Sequence, residues 1–382
     1  MNIISLGVPH QILMSVRQMT NNRNCMHIKW KNEITERLGI RYPIIQAPML
    51  GVTSPEMVAA ASATGCLGSL ALGDLTAEQC AAAIRQTRAL TSEPFAVNFF
   101  AHSIPPVTDQ LISKYNTVRS FVQDLAEKHK LKAELPNLEQ LQLHSYHKQV
   151  AAILEEKCPI VSFTFGNPDE TVISLFKQNG SILIGTCTSL DEALALERSG
   201  IDIICVQGIE AGGHRGSFIG DSLPLIGGFS LLSQVLEHVR VPVIYAGGIY
   251  NAGSLRAVRT LGACGFQVGS LLLTAKESIL KPFEKERLQQ LKSNDVVLTH
   301  SFTGRYARGI RNLFSEEAEA SGNILPYPYQ NKLTAPLRLA SKTDQNLDFV
   351  SIWVGQSPYP FSTASTAEIL RNLIHESESQ DV

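Results

Sequence analysis

The chain has 382 residues, 44% of them hydrophobic and 18% charged, with a net charge of −2. That length suits one large domain with an appendage, and the near-neutral balance, with no Lys/Arg block, argues against nucleic acid or an acidic membrane surface as partner. The seven cysteines (Cys25, Cys66, Cys80, Cys158, Cys187, Cys205, Cys264) are scattered and never spaced C-x-x-C, which argues against a zinc site or a disulfide framework and for core residues in a reducing, cytoplasmic compartment.

The first 25 residues are polar and mixed, without the basic start and apolar centre of a secretory signal. They are expected to be a disordered tail or to precede a start at Met26, within a tail spanning 1–31. No apolar run reaches the ~18 residues that span a membrane. From residue 43, short apolar runs alternate with segments of helical periodicity. The runs are 43–49, 66–72, 95–100, 160–165, 181–185, 201–207, 241–246 and 265–272. Most are rich in Ile, Val, Leu or Phe without polar alternation, the pattern of parallel strands buried on both faces. Helices are predicted over 54–64, 76–90, 168–178, 189–199 and 251–261, most with a Ser, Thr or Asn start and a Gly stop.

Eight strands with helical crossovers predict an α/β fold, a closed (β/α)8 TIM barrel over 32–280. A doubly wound open sheet is the alternative, but no G-x-G-x-x-G follows the first strand. Two segments break the rhythm. Residues 101–158 contain helical stretches 107–130 and 138–156, too long for a simple crossover, and are expected to form a helical cap over the barrel mouth. Residues 281–382 form a C-terminal, mainly helical extension, with helices at 281–292, 315–321 and 366–377, expected to contribute a substrate or cap region.

In such a barrel the chemistry sits where strands stop. The polar and glycine positions there are Met49, Asn98, Gln207, Gly212, Gly213, His214, Gly247, Gly248, Gln267, Gly269 and Ser270. Gly247-Gly248 precedes a helix start near Asn251, and Gly269-Ser270 offers amides and a hydroxyl; both sites suit a phosphate. Asn98 and Gln207 donate and accept, so they suit a heterocycle such as a flavin, or else each ties down a loop. His214, between Gly213 and Gly216, suits a general base. Glu210 is a candidate to orient it, and the neighbouring glycines would keep bulk away from a flavin. No histidine spacing suggests a metal.

Together, Gln46-Ala47-Pro48-Met49, Asn98, the string from Gln207 through Glu210-Ala211-Gly212-Gly213-His214-Arg215-Gly216, Ala246-Gly247-Gly248-Ile249 and Gln267-Val268-Gly269-Ser270 resemble the nitronate monooxygenase family. The resemblance extends to Thr303-Gly304-Arg305 and Trp353-Val354-Gly355-Gln356. It implies a barrel that binds FMN through Asn98, Gln207, Gly212, Gly248 and Gln267-Val268-Gly269-Ser270, with His214 as catalytic base. The implied reaction takes a nitronate or nitroalkane and O2 to a carbonyl compound and nitrite, in a monomer or homodimer. FMN-type enoyl-ACP reductases and NAD(P)H:quinone reductases share the glycine-histidine string. A carboxylate-bearing substrate such as propionate 3-nitronate would need a cation, for which Arg215, Arg305 and Lys332 are candidates.

Overall fold

The computed structural model describes residues 30–220, 222–357 and 361–379. The expected N-terminal tail lies outside these residues as far as residue 29. Eight parallel strands form the barrel: β1 (Ile44–Gln46), β2 (Gly68–Ala71), β3 (Phe95–Phe100), β4 (Ile160–Thr164), β5 (Ile182–Cys187), β6 (Ile203–Gln207), β8 (Val243–Ala246) and β9 (Gly265–Val268). The short β7 (Gly213–His214) lies outside the ring. The hydrogen-bonded order is β1-β9-β8-β6-β5-β4-β3-β2. The seam closes where Gln46 N–H donates to the Leu67 carbonyl and Leu67 N–H to the Ile44 carbonyl, both at 2.9 Å. The chain is therefore the (β/α)8 TIM barrel that the apolar runs predict.

The absence of polar alternation now has its cause. Ile45, Ala96, Ile160, Ile184, Ile203 and Ile244 fill the barrel interior, while their neighbours Ile44, Val97, Val161, Leu183, Ile204 and Val243 face the helix layer. Both faces are buried, so both are apolar. A helix that the periodicity did not reveal, α1 (Glu33–Leu38), inserts Ile34 and Leu38 into the interior cluster. The crossovers are carried by α2 (Pro55–Ser62), α3 (Ala77–Leu90), then α5 to α9 as described below. Ser54 and Thr76 cap the first two by accepting an N–H three residues on, a bond that satisfies a donor the helix itself cannot.

The segment between β3 and β4 divides in two. Its first helix, α4 (Asp109–Lys128), sends Leu111, Tyr115, Val118, Val122 and Leu125 into a second core shared with the C-terminal residues. Its second, α5 (Tyr146–Glu155), is the barrel crossover. It is shorter than the helix expected over 138–156, because a 3₁₀ turn at Leu138–Gln140 and a new cap at Ser145 interrupt the chain. Gln149 on α5 donates from Nε2 to the carbonyls of Leu72, Gly73 and Leu75, which locks the β2 loop. The remaining crossovers are α6 (Glu170–Gln178), α7 (Leu190–Arg198), α8 (Gly228–His238) and α9 (Ala252–Thr260).

The C-terminal region is mainly helical, as expected, with two short strands added. It has α10 (Pro282–Gln289), β10 (Val296–Thr299), β11 (Ala307–Ile310), α11 (Leu313–Ser321), α12 (Tyr329–Thr343) and α13 (Thr366–Glu378). The antiparallel sheet β10-β11-β7 takes its third strand from the glycine-histidine loop of the barrel. Among the described residues, no helix is long and apolar enough to cross a membrane, and no group of His, Cys, Asp and Glu is arranged to hold a metal.

Candidate active site

A cavity of about 510 Å³ opens at the C-terminal ends of the barrel strands, bounded on the other side by the C-terminal region. Met49, Asn98, Gln207, Gly212, Gly213, His214, Gly247, Gly248, Gln267, Gly269 and Ser270 all line it. Val268 does not. Its side chain is packed into the barrel core, and its carbonyl accepts the Ala47 N–H at 2.8 Å. The strand-end logic thus brings together the predicted residues except the one whose side chain points between strand and helix.

His214 is placed by a backbone ladder. It pairs with Ala307 of β11, and Arg215 N–H donates to the Tyr306 carbonyl at 2.7 Å. Its Nε2 lies 2.9 Å from the Thr303 hydroxyl. Its ring meets the edges of Trp353 and Phe165, with centroids 5.1 and 5.5 Å away. Burial pulls its pKa down to about 3, and the Arg305 and Arg338 guanidiniums push the same way against Asp74. The imidazole is therefore neutral and keeps one bare ring nitrogen, while burial and the two guanidiniums work against its protonation. Phe165 beside it holds a left-handed backbone, φ 76°, a conformation that costs a non-glycine residue about 1–3 kcal/mol and often marks functional sites. The Arg305 guanidinium sits over the Phe165 ring, 4.3 Å from its centroid.

Several candidates turn out to hold the loop instead. Gln207 spends its amide on the chain: Nε2 donates to the His214 carbonyl and Oε1 accepts from Gly216 N–H, each at 2.9 Å. Glu210 does not reach His214. Its carboxylate accepts Gly228 N–H at the start of α8 (3.1 Å) and the Tyr245 hydroxyl. Arg215 is buried and donates to the carbonyls of Gly208 (2.6 Å) and Gln207 (2.9 Å). Arg305 donates to the Ser217 carbonyl. Of the three cations considered for a substrate carboxylate, only Lys332 lines the cavity.

The glycines also answer to protein neighbours. A Cβ on Gly212 would lie 2.5 Å from Gly355 N and 2.6 Å from the Val354 carbonyl carbon. Gly213 has φ 75°, which a side chain would strain. The Trp353-Val354-Gly355-Gln356 string is the reason for this crowding. Gly355 N–H donates to Ser270 Oγ at 2.9 Å and Gln356 N–H to the Glu210 carbonyl at 3.0 Å, tying β9 and the β6 loop to the C-terminal region.

The cavity suits a phosphorylated heterocycle. Gly247 and Gly248 line it just ahead of α9, whose N-terminus is capped by Asn251, a setting that suits an anion. Asn98 uses Nδ2 on Ser162 Oγ (2.9 Å), and its Oδ1 has no partner among the described residues. The Gln267 amide has none either, and it faces the cavity.

Sequence reasoning missed the far wall. Asn331, Ala335, Arg338 and Lys342 of α12 line the cavity, as do Asp74 and Tyr327. Asp74 accepts the Tyr327 hydroxyl at 2.9 Å and also the Asn331 amide. Arg338 donates to the Asn331 carbonyl and Oδ1, both at 2.8 Å, while its buried Nε has no partner among the described residues. Burial lowers Arg338 to about 10, so it stays charged. The spacing i, i+4, i+7, i+11 was a readable helical stripe, hidden by Pro336 inside the helix. No residue of 101–158 lines the cavity, so the expected cap stands behind α12: Tyr329 donates its hydroxyl to the Pro105 carbonyl at 2.6 Å.

Comparison with known proteins extends these observations. The family model described as nitronate monooxygenase matches residues 31–376. A probable nitronate monooxygenase of Staphylococcus aureus strain Newman is 38% identical over 350 residues, 91% of this chain and 97% of that protein. Among solved structures, nitroalkane oxidase from Streptomyces ansochromogenes superposes with a TM-score of 0.82 at 32% identity, covering 91% of this chain and 98% of that one. FabK from Thermotoga maritima gives 0.72 at 26% identity, covering 92% and 97%.

Proposed function

The chain belongs to the nitronate monooxygenase family, and from that membership we propose an FMN-dependent enzyme that oxidises alkyl nitronates, such as propionate 3-nitronate, and neutral nitroalkanes. O2 is the co-substrate, and a carbonyl compound and nitrite are the products. The observation that carries the reading is a neutral, partnered His214 in the wall of a cavity whose other end is built of glycine backbone at a helix N-terminus.

FMN, when bound, supplies the electron transfer and the reaction with O2. The chain does the rest. Gly247, Gly248, Ser270 and the first amides of α9 would hold the FMN phosphate. Gln267 and Asn98 Oδ1 would be available to its heterocycle, and Met49, Gly212, Gly213 and Gly269 would leave room for it. Gln207 serves indirectly, by fixing the His214 loop. His214 accepts the proton from the carbon next to the nitro group. Lys332 and Arg338 offset the negative charge that results, and they are the cations available to a substrate carboxylate. Trp353, Phe361 and Leu273 add apolar surface to the cavity, which strengthens these interactions by excluding water. A cytoplasmic setting, where thiols stay reduced, completes the proposal.

The test is the visible absorption spectrum of the purified protein without oxygen. A yellow protein that bleaches with propionate 3-nitronate supports the proposal. Rapid bleaching by NADH instead would make it an NAD(P)H-dependent quinone or enoyl reductase. A colourless protein that FMN does not turn yellow would remove the flavin altogether.

A further inference from the structure

The Thr303 hydroxyl has three polar neighbours. The Arg305 carbonyl lies at 3.0 Å, the Arg305 N–H at 3.3 Å and His214 Nε2 at 2.9 Å. A hydroxyl has one hydrogen to give and two lone pairs to receive with. A carbonyl cannot donate, so the hydroxyl's single hydrogen goes to the Arg305 carbonyl. One lone pair takes the Arg305 N–H. The remaining contact needs a hydrogen from the imidazole. We infer that Thr303 is a positioning residue that fixes His214 as the Nε2–H tautomer, so that Nδ1 is the nitrogen that accepts the substrate proton.

The surroundings agree. Nδ1 has no hydrogen-bond partner among the described residues, yet it is not one of the buried polar atoms left unpaired, so it is open to the cavity that His214 lines. Thr303 is itself buried, and the turn that carries it is tight: Gly304 N–H donates to the His300 carbonyl at 2.7 Å, and a Cβ on Gly304 would collide with the Leu325 carbonyl oxygen. The turn therefore fixes the backbone from which the hydroxyl meets its two backbone partners. The pairing of His214 with Ala307 fixes the ring's side of the contact.

In the forward step the carbon–hydrogen bond breaks, its electron pair stays with the nitronate, and the proton joins the Nδ1 lone pair. The resulting imidazolium keeps its Nε2–H on Thr303. Arg305 and Arg338 oppose that charge, and Asp74 favours it. Only the source of the proton rests on the proposed function; the tautomer does not.

The experiment labels histidine with ¹⁵N and reads the two ring nitrogens by NMR, with the His214 signals assigned by their loss in His214→Asn. The wild type should show a protonated Nε2 and an unprotonated Nδ1. A protonated Nδ1 would overturn the inference. Thr303→Val should shift the pair toward a mixture of tautomers, and Thr303→Ser should restore it; a Thr303→Val spectrum still wholly Nε2–H would remove Thr303 as the cause. Kinetics give a second reading. In Thr303→Val the rate with nitroethane, which needs proton removal, should fall relative to the rate with ethyl nitronate, which does not, by about 10-fold or more in kcat. Equal losses with both would mark Thr303 as merely structural. A wild-type Nε2–H tautomer without any nitroethane turnover would sink the nitroalkane reading and leave this one standing.

Discussion

His214 is uncharged near neutral pH, because burial and two guanidiniums lower its pKa from 6.5 to about 3. This has a thermodynamic consequence. As the pH drops below 6.5, the unfolded chain takes up a proton that the folded chain refuses, so the native state loses stability from pH 6.5 down to about 3. His214→Asn cannot titrate. Its melting temperature should fall less steeply than that of the wild type between pH about 6.5 and about 4, by thermal unfolding of the protein without substrate. Equal slopes would mean that the ring is not desolvated. The same variant tests the base role: nitroethane turnover should drop by about 10²–10⁴-fold with the flavin still bound, and unchanged turnover would end that role. At this scale the sequence was informative where glycine and a strand end framed a polar residue, as at His214, Gly248 and Ser270. It left the choice open where one amide or charge had two uses. Gln207, Glu210 and Arg215 sit in the same string as His214, but only coordinates show that they bond to the chain at Gly216, Gly228 and Gly208.

The element that shapes the cavity most is α12, and its position depends on an ion pair at its C-terminal end. Lys342 Nζ lies 2.9 Å from Glu284 Oε1 on α10, and the Glu284 side chain is fully buried. Glu284 also receives Lys281 N–H at 2.9 Å, capping its own helix. Removing one partner of a buried pair leaves an uncompensated charge, costing about 3–5 kcal/mol when both are sealed from water. Lys342 is 31% exposed, so solvent screening reduces the loss to about 1–3 kcal/mol. Lys342→Met should therefore lower the melting temperature by several degrees, and it should raise KM more than it lowers kcat, because α12 borders the substrate space without touching His214. A variant with unchanged melting temperature and KM would show that α12 is held by its apolar face alone. That face, Leu333 and Leu337 against Phe302 and Phe349, is strong enough to tolerate Pro336 within the helix. It also explains why α12 escaped prediction. Proline reads as a helix end, and the compensating contacts come from residues far away in sequence. The barrel strands suffered no such conflict, since each apolar run is bounded by turn residues and most of the following helices carry a side-chain cap, α8 with Gly227 at its start being the exception.

Two cores share the molecule, and the cavity lies between them. The second is assembled from residues 111–135 and 302–349, on either side of most of the barrel. Each segment shows an amphipathic stripe in sequence, but a stripe does not name its partner, which is why 101–158 reads as a cap over the barrel mouth. The chain then returns to the barrel in α13. Ile369, Leu370, Leu373 and Ile374 join the barrel's helix-layer core, and Thr366 anchors the helix start by donating its N–H and hydroxyl to Glu277 Oε2, both at 2.8 Å. Burying an aliphatic side chain stabilises by roughly 1.5–3 kcal/mol. Those four residues together contribute about 6–12 kcal/mol, a sum that rivals the ~5–15 kcal/mol by which whole domains are stable. A chain ended at residue 364 would lose that contribution and expose the matching surface of the barrel. It should therefore be recovered as aggregate, or as a soluble protein without a cooperative thermal transition, although every residue lining the cavity is retained. A truncated protein that melts cooperatively and still binds FMN would show that α13 is an accessory to a fold complete without it.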